Sequence, residues 1–408
     1  MATQPRNRTL SPSVIFQAWE PLLPSIQITA AEATHPDTYS DLGISTVKGF
    51  FDIKSRLSNR LDPEDLRFDY SYTISISPAL YNRSSPAPSS ERWEALEGVI
   101  ERKNTEYIKN GRDTRYKVLF LARHGQGYHN VAEEKYRENK AWECYWAMQA
   151  GDEDSTWGPD AKLTPHGIAE AKKKGEVWRQ HIEDGAPIPE RHFVSPLSRS
   201  IRTMEETWKD VYGWLGGTPH PRAPTGVRPV VKELLRETMS LHYSDHRSSL
   251  NYLYTTYPYL IFSPQPICYS ENAVPFPNED PFWNFHRESM AMRDHRIKTA
   301  LQEIIAESGN ATYIGVTAHF GVIESALTVL GGELTPHLGT TGVVPVVVKV
   351  EPSMDLGRHG VGSWWEKKAG MENPPLELRE VCPGKGFAPV WVQGGYSSTD
   401  GGIGVDTW

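Results

Sequence analysis

Tyr116-Lys117-Val118-Leu119-Phe120-Leu121-Ala122-Arg123-His124-Gly125-Gln126-Gly127-Tyr128-His129-Asn130 decides how the rest of this 408-residue chain is read. The apolar run Val118 to Ala122 predicts a strand covered on both faces of a sheet. It stops abruptly in a guanidinium, an imidazole and a glycine. A strand that ends this way delivers those groups to the carboxyl edge of the sheet, where open α/β folds hold their ligands. Gly125 and Gly127 allow a sharp turn and a close approach of backbone to a bound group. A helical segment follows from about Asn130.

The length accommodates one large domain with insertions, or two domains, and a substantial core. An apolar fraction of 38% with 11% aromatics describes a folded chain rather than a disordered one. The formal charge of −8 is mild for this length, so neither nucleic acid nor a membrane is expected as partner. Cys144, Cys268 and Cys382 are odd in number, far apart and in no metal-ligand spacing. Reduced thiols and a cytoplasmic location are therefore expected, without disulfide or zinc frameworks. The first residues lack a basic start followed by an apolar run, and no window reaches the apolar length of a membrane span. The acceptor patterns at Asn7, Asn82 and Asn310 are read as chance without a secretory route.

Outward from the central stretch, strands and helices alternate. Phe50-Phe51 and Tyr70 to Ile76 predict one or two strands, and Ser84 to Ser90 a surface loop. Trp93 to Asn110 has helical spacing, and Val131 to Trp146 reads as helix interrupted by loop. Thr164-Pro165 is a cap with a first-turn proline, opening a helix that runs to Gly185. His192 to Val194 is a short strand before Ser195-Pro196-Leu197-Ser198-Arg199, and Val230-Val231 another. Residues 242–280, rich in Tyr and Pro, read as an insertion over the core. A helix is expected over Pro281 to Glu307, a strand over Thr312 to Ala318, a helix over Val322 to Leu330 and a last strand over Val343 to Val350. The order predicts an α/β three-layer sandwich, its mostly parallel central sheet carrying helices on both faces. Residues 1–43 form an N-terminal extension, 44–352 the domain, and 353–408 a Gly-rich C-terminal appendage.

Arg123 with His124, Arg199, and His319 all fall at or just after strand ends, so their side chains can meet above one sheet edge. Such a cluster suits phosphate, because the planar guanidinium fork matches phosphate oxygens and stays charged. An imidazole with an ordinary pKa of about 6.5 is neutral and nucleophilic near neutrality. Glu237, in Leu234-Leu235-Arg236-Glu237-Thr238 and following another expected strand, can offer the proton a departing alkoxide requires. Glu233 and Asp245 compete for that role. Gly-x-Ser-x-Gly, His-Glu-x-x-His and Walker-type motifs are missing, and Gly125-x-Gly127 lacks the third glycine of a dinucleotide fingerprint. The run Tyr252 to Tyr259 has no basic stripe beside it and is read as core of the insertion.

The ordered set Leu119 to Asn130, Ala161 to Ala171, Ser195 to Thr203, Leu235-Arg236-Glu237 with Asp245 and Arg247, and Thr317 to Gly321 resembles the histidine phosphatase superfamily, also called phosphoglycerate mutase-like, in its fungal branch. The resemblance implies that His124 attacks phosphorus while Arg123, Arg199 and His319 hold the non-bridging oxygens, and that Glu237 serves as acid and then as base. Asn130 matches a family position that contacts the phosphoryl group. Neither metal nor cofactor is implied. His129, His242 and Arg247 are read as substrate contacts, against the plainer reading of solvent-facing side chains. A second Arg-His-Gly, at 358–360, follows no apolar strand and is read as a surface loop. The function expected is hydrolysis of a small-molecule phosphate monoester. A phosphoglycerate-type mutase and a non-catalytic phospho-ligand binder are the alternatives, although a binder has no need of nucleophile and acid together. Oligomeric state has no signal in the sequence. Aromatic residues across 242–285 favour a leaving group with apolar or aromatic bulk.

Overall fold

Strand β2 (Arg115–Arg123) lies inside a seven-stranded sheet because alternate side chains on both of its faces are apolar. Val118 and Phe120 enter one core, Leu119 and Leu121 the other, the two-residue period of a strand buried on both faces. The remaining strands are β1 (Ile44–Thr46), β3 (Arg191–Val194), β4 (Val230–Val231), β5 (Ile261–Phe262), β6 (Tyr313–Ala318) and β7 (Val343–Val350). Their order is β1-β7-β2-β6-β3-β4-β5. The run from β2 to β5 is parallel, and β7 is antiparallel to both β1 and β2.

The computed structural model describes residues 43–48, 50–51, 76–77, 80, 89–109, 114–239, 241–262, 276–280, 282–283, 287–331 and 338–351. These all lie in the unit Thr38–Trp408; the unit Met1–Asp37 falls outside them. The expected C-terminal appendage, the N-terminal extension apart from Gly43, and the second Arg-His-Gly also lie outside the described residues.

Two helical layers flank the sheet. Helices α1 (Ser89–Lys109), α4 (Pro165–Glu183) and α5 (Ser198–Tyr212) bring Trp93, Leu96, Trp178, Ile201 and Met204 onto one face. Helices α7 (Met290–Ser308) and α8 (Phe320–Val329) bring Ile297, Leu301, Val322 and Ile323 onto the other. The expected three-layer sandwich is thereby observed. Thr164 caps α4 as its sequence predicts, its side chain accepting from the Gly167 N–H at 3.0 Å. Between β2 and α4 come α2 (Tyr128–Lys135) and the four-residue α3 (Ala141–Cys144), packed through a cluster of Trp142, Ala147 and Trp157.

Three expectations are corrected. The insertion does more than cover the core: after α6 (Leu250–Thr256) it supplies β5, which extends the sheet beside β4. The helix expected from Pro281 begins at Met290, because Asp280 folds back to accept the N–H groups of Phe282 (2.9 Å) and Trp283 (3.0 Å) and Ser289 provides the cap. Cys144 is disulfide-bonded; sequence separation does not bound distance in a fold. That removes one of the two grounds for a cytoplasmic placement. Among the described residues no helix is long and apolar enough to cross a membrane.

Candidate active site

Register brings the distant segments together. In the parallel pair β2 and β6, Arg123 stands opposite Ala318, and in β3 beside β6, Val194 stands opposite Thr317. The next residues, His124, His319 and Ser195, therefore leave the sheet at one level of its carboxyl edge, as expected for an open α/β fold. The rings of His124 and His319 meet edge to face with centroids 5.1 Å apart. His129, on the first turn of α2, places its ring 5.3 Å from His124. All three imidazoles are buried.

His124 Nδ1 lies 2.7 Å from the carbonyl oxygen of Gly125. A carbonyl only accepts, so Nδ1 carries the proton and Nε2 keeps its lone pair. Burial first, then the charges of Arg199 and Arg123, hold the His124 pKa well below 6.5, against the Gly125 hydrogen bond that raises it. His129 and His319 are likewise held well below 6.5, by burial first and Arg199 next. The cluster thus pairs neutral imidazoles with permanent cations, a combination suited to an anionic electrophile.

Arg199, on the first turn of α5, is fully buried. Its Nη2 pairs with Asp245 Oδ1 at 2.6 Å and its Nη1 donates to the Ser244 carbonyl at 2.8 Å. Arg123 donates Nη1 to the Leu338 carbonyl at 2.6 Å. Arg123 Nε, Arg199 Nε, His129 Nδ1 and His319 Nδ1 are all buried without a hydrogen-bond partner. Unpartnered buried nitrogens are costly, and a guanidinium N–H left open in this way is a donor suited to an anion's oxygen.

Glu237 reaches the same edge from beyond β4. Its Oε1 accepts from the Thr238 N–H at 2.8 Å and its Oε2 faces the Gly321 N–H at 3.4 Å. Gly321 opens α8, where the helix dipole favours a carboxylate. A Cβ at Gly321 would run into Glu237 Oε1 and would meet Arg293 Nη1 at 2.5 Å, so a larger residue there would push both side chains aside. Glu237 is close enough to Arg123 to support its charge.

Several residues that carry this arrangement were not singled out by the sequence reading. Thr203 Oγ1 accepts from the Gly125 N–H (2.9 Å) and donates to the Arg199 carbonyl (2.7 Å), locking the turn after β2 to α5. Glu170 accepts from the Gln126 N–H and from Thr340 Oγ1, both at 2.6 Å. Ser195 Oγ lies 2.7 Å from His319 Nε2 and Ser200 Oγ 3.3 Å from it. Asp160, buried, accepts from the N–H (2.8 Å) and hydroxyl (2.5 Å) of Ser198 and so caps α5 below Arg199. The signal available for Ser195, Ser198 and Thr203 was their place in Ser195 to Thr203 beside Arg199.

The other candidates separate. Asn130 Oδ1 accepts from the Gly127 N–H at 2.9 Å and closes the first turn of α2. His242 lies at the rim, 3.3 Å from Glu143 Oε2 through Nε2 and edge-on to Trp142. Arg247 is not brought to the cluster. It is buried, ion-paired with Glu233 at 2.6 Å, and donates to the carbonyls of Ser248, Pro277, Asn278 and Glu279, so it fastens the insertion. Glu233, tied to Arg247 and buried, and Asp245, tied to Arg199, are both held in ion pairs. Among the described residues no group of three or more His, Cys, Asp or Glu is arranged to hold a metal ion.

The chain is 38% identical over 264 residues to a probable phosphoglycerate mutase of Arthroderma benhamiae, covering 64% of this chain and 71% of the relative. It is 33% identical over 278 residues to a probable phosphoglycerate mutase of Saccharomyces cerevisiae, covering 66% and 92%. A solved phosphoglycerate mutase from Bacillus anthracis overlays 62% of this chain and 96% of its own at 16% identity and a TM-score of 0.35, a likeness too loose to carry an inference. No family model matches. The chain belongs to the histidine phosphatase, or phosphoglycerate mutase-like, superfamily, in the branch of these fungal relatives.

Proposed function

We propose that the protein is a phosphoric monoester hydrolase that works through a phosphohistidine on His124. The observation that carries this reading is the tautomer of His124: Nδ1–H is spent on Gly125, and Nε2 holds its lone pair beside two guanidinium groups. In the first half, Nε2 attacks phosphorus, the P–O bond to the alcohol breaks, and Glu237 gives its proton to the departing oxygen. Arg123, Arg199, His129 and His319 donate to the non-bridging oxygens as charge spreads over them. In the second half, Glu237 takes a proton from water, the water oxygen attacks phosphorus, and the N–P pair returns to Nε2. Two guanidinium groups supply the positive charge, so the scheme needs neither metal nor cofactor, and its substrate is a small phosphorylated molecule.

Phosphate release from an aryl phosphate, compared between the full chain and His124→Ala, tests the scheme. An acid-labile phosphoryl group should be trapped on the wild type alone. Equal release by both chains removes it. A second reading, mutase, is favoured by what the fungal relatives are named. It requires return of the phosphoryl group to a second hydroxyl before water arrives, and isomer exchange in phosphoglycerate by a bisphosphate-primed enzyme separates the two.

A further inference from the structure

The rim of the cluster carries a carboxylate that the scheme above does not use. Glu133 stands four residues after His129 on α2, so the two share one helix face with Cβ atoms about 6 Å apart. His129 is buried against His124 and Glu133 is exposed. Glu133 therefore lies one helical turn from His129, which packs on the reacting imidazole of His124, on the exposed side where the alcohol half of a phosphate ester would project.

Its electrical surroundings agree with that placement. The Glu133 carboxyl is raised above its ordinary pKa by partial desolvation first; His242 and Arg123 act against that shift, and Glu143 and Glu237 add to it. The two bases of the rim are occupied. His242 Nε2 lies 3.3 Å from Glu143 Oε2 and Arg287 donates to the same oxygen at 2.7 Å, contacts that hold Glu143 down at about 2. Glu133 has no ion-pair partner among the described residues. An incoming leaving group thus meets a carboxylate that no direct ion pair holds, while Arg287 and His242 are already engaged by Glu143.

We infer that Glu133 selects the alcohol half of the substrate, admitting phosphate monoesters with a neutral or cationic leaving group and disfavouring those that bear a second acid. The inference rests on reading the histidine cluster as the phosphate site, and it runs against the mutase reading, since phosphoglycerate carries such an acid. It is tested by binding, in the full-length His124→Ala chain with and without Glu133→Gln. Kd values for 3-phosphoglycerate, glycerol 3-phosphate and phosphoethanolamine are measured by calorimetry.

With Glu133 present, 3-phosphoglycerate should bind most weakly. Glu133→Gln should improve its Kd relative to glycerol 3-phosphate by about fivefold to tenfold and should weaken phosphoethanolamine. A ratio that stays within about twofold overturns the inference and leaves the phosphohistidine scheme standing. A ratio that moves as expected in a chain whose wild type releases no phosphate sinks the scheme and keeps the inference.

Discussion

Asp245 holds Arg199 through an ion pair of 2.6 Å in which both side chains are buried. The pair joins the first turn of α5 to the 3₁₀ turn Tyr243–Asp245 of the insertion, so a segment outside the common sheet positions a guanidinium of the cluster. Asp245→Asn keeps an oxygen acceptor but removes the charge, leaving Arg199 buried and uncompensated. Stability should fall by about 2 kcal/mol, and affinity for inorganic phosphate by about tenfold or more. Urea unfolding and inhibition by phosphate measure the two effects. Weaker stability with unchanged phosphate affinity would assign Asp245 to the fold alone.

Gly167→Ala tests the seat of the turn after β2. A Cβ there would run into the backbone oxygen of Gln126, and one at Gly125 would lie 2.6 Å from the Gly167 carbonyl. Backbone cannot yield as a side chain does, so the substitution should cost about 2 kcal/mol and lower turnover by displacing Gly125 and with it His124. Melting temperature and kcat read this directly, and an Ala variant of wild-type stability would refute the close-contact account.

Acid should destabilise the fold through its histidines. His124, His129 and His319 are held well below 6.5 by burial and then by Arg199, and His192 is pushed down to about 3 by burial alone. Unfolded, each takes a proton near 6.5; folded, none does. The unfolded state therefore binds more protons below that value, and stability that is full above about 6.5 falls as the pH drops, for His192 down to about 3. Each such imidazole contributes about 1.4 kcal/mol per pH unit below the window's upper edge. Urea unfolding at pH 7.5, 6.5 and 5.5 should show this decline, with His192→Asn reducing the slope by one proton. A flat profile would contradict neutral buried imidazoles.

Sequence alone determined the strand Val118 to Ala122, because an apolar run with no polar alternation has no place except between two covered faces. It likewise determined the capped start of α4 at Thr164 and the strand–helix units that carry Arg199 and His319, since these are signals of period and of local hydrogen bonding. It put Arg123, His124, Arg199 and His319 at strand ends.

Only the tertiary structure decided which of these met. The register of β2, β6 and β3 sets His124 beside His319, and register depends on side-chain contacts between segments almost two hundred residues apart. The occupation of Arg247 by the carbonyls of residues 277–279 and the entry of β5 into the sheet are likewise relations between segments apart in the chain. Local periodicity contains no record of them, because each arises from contacts that exist only once the sheet has closed its two cores.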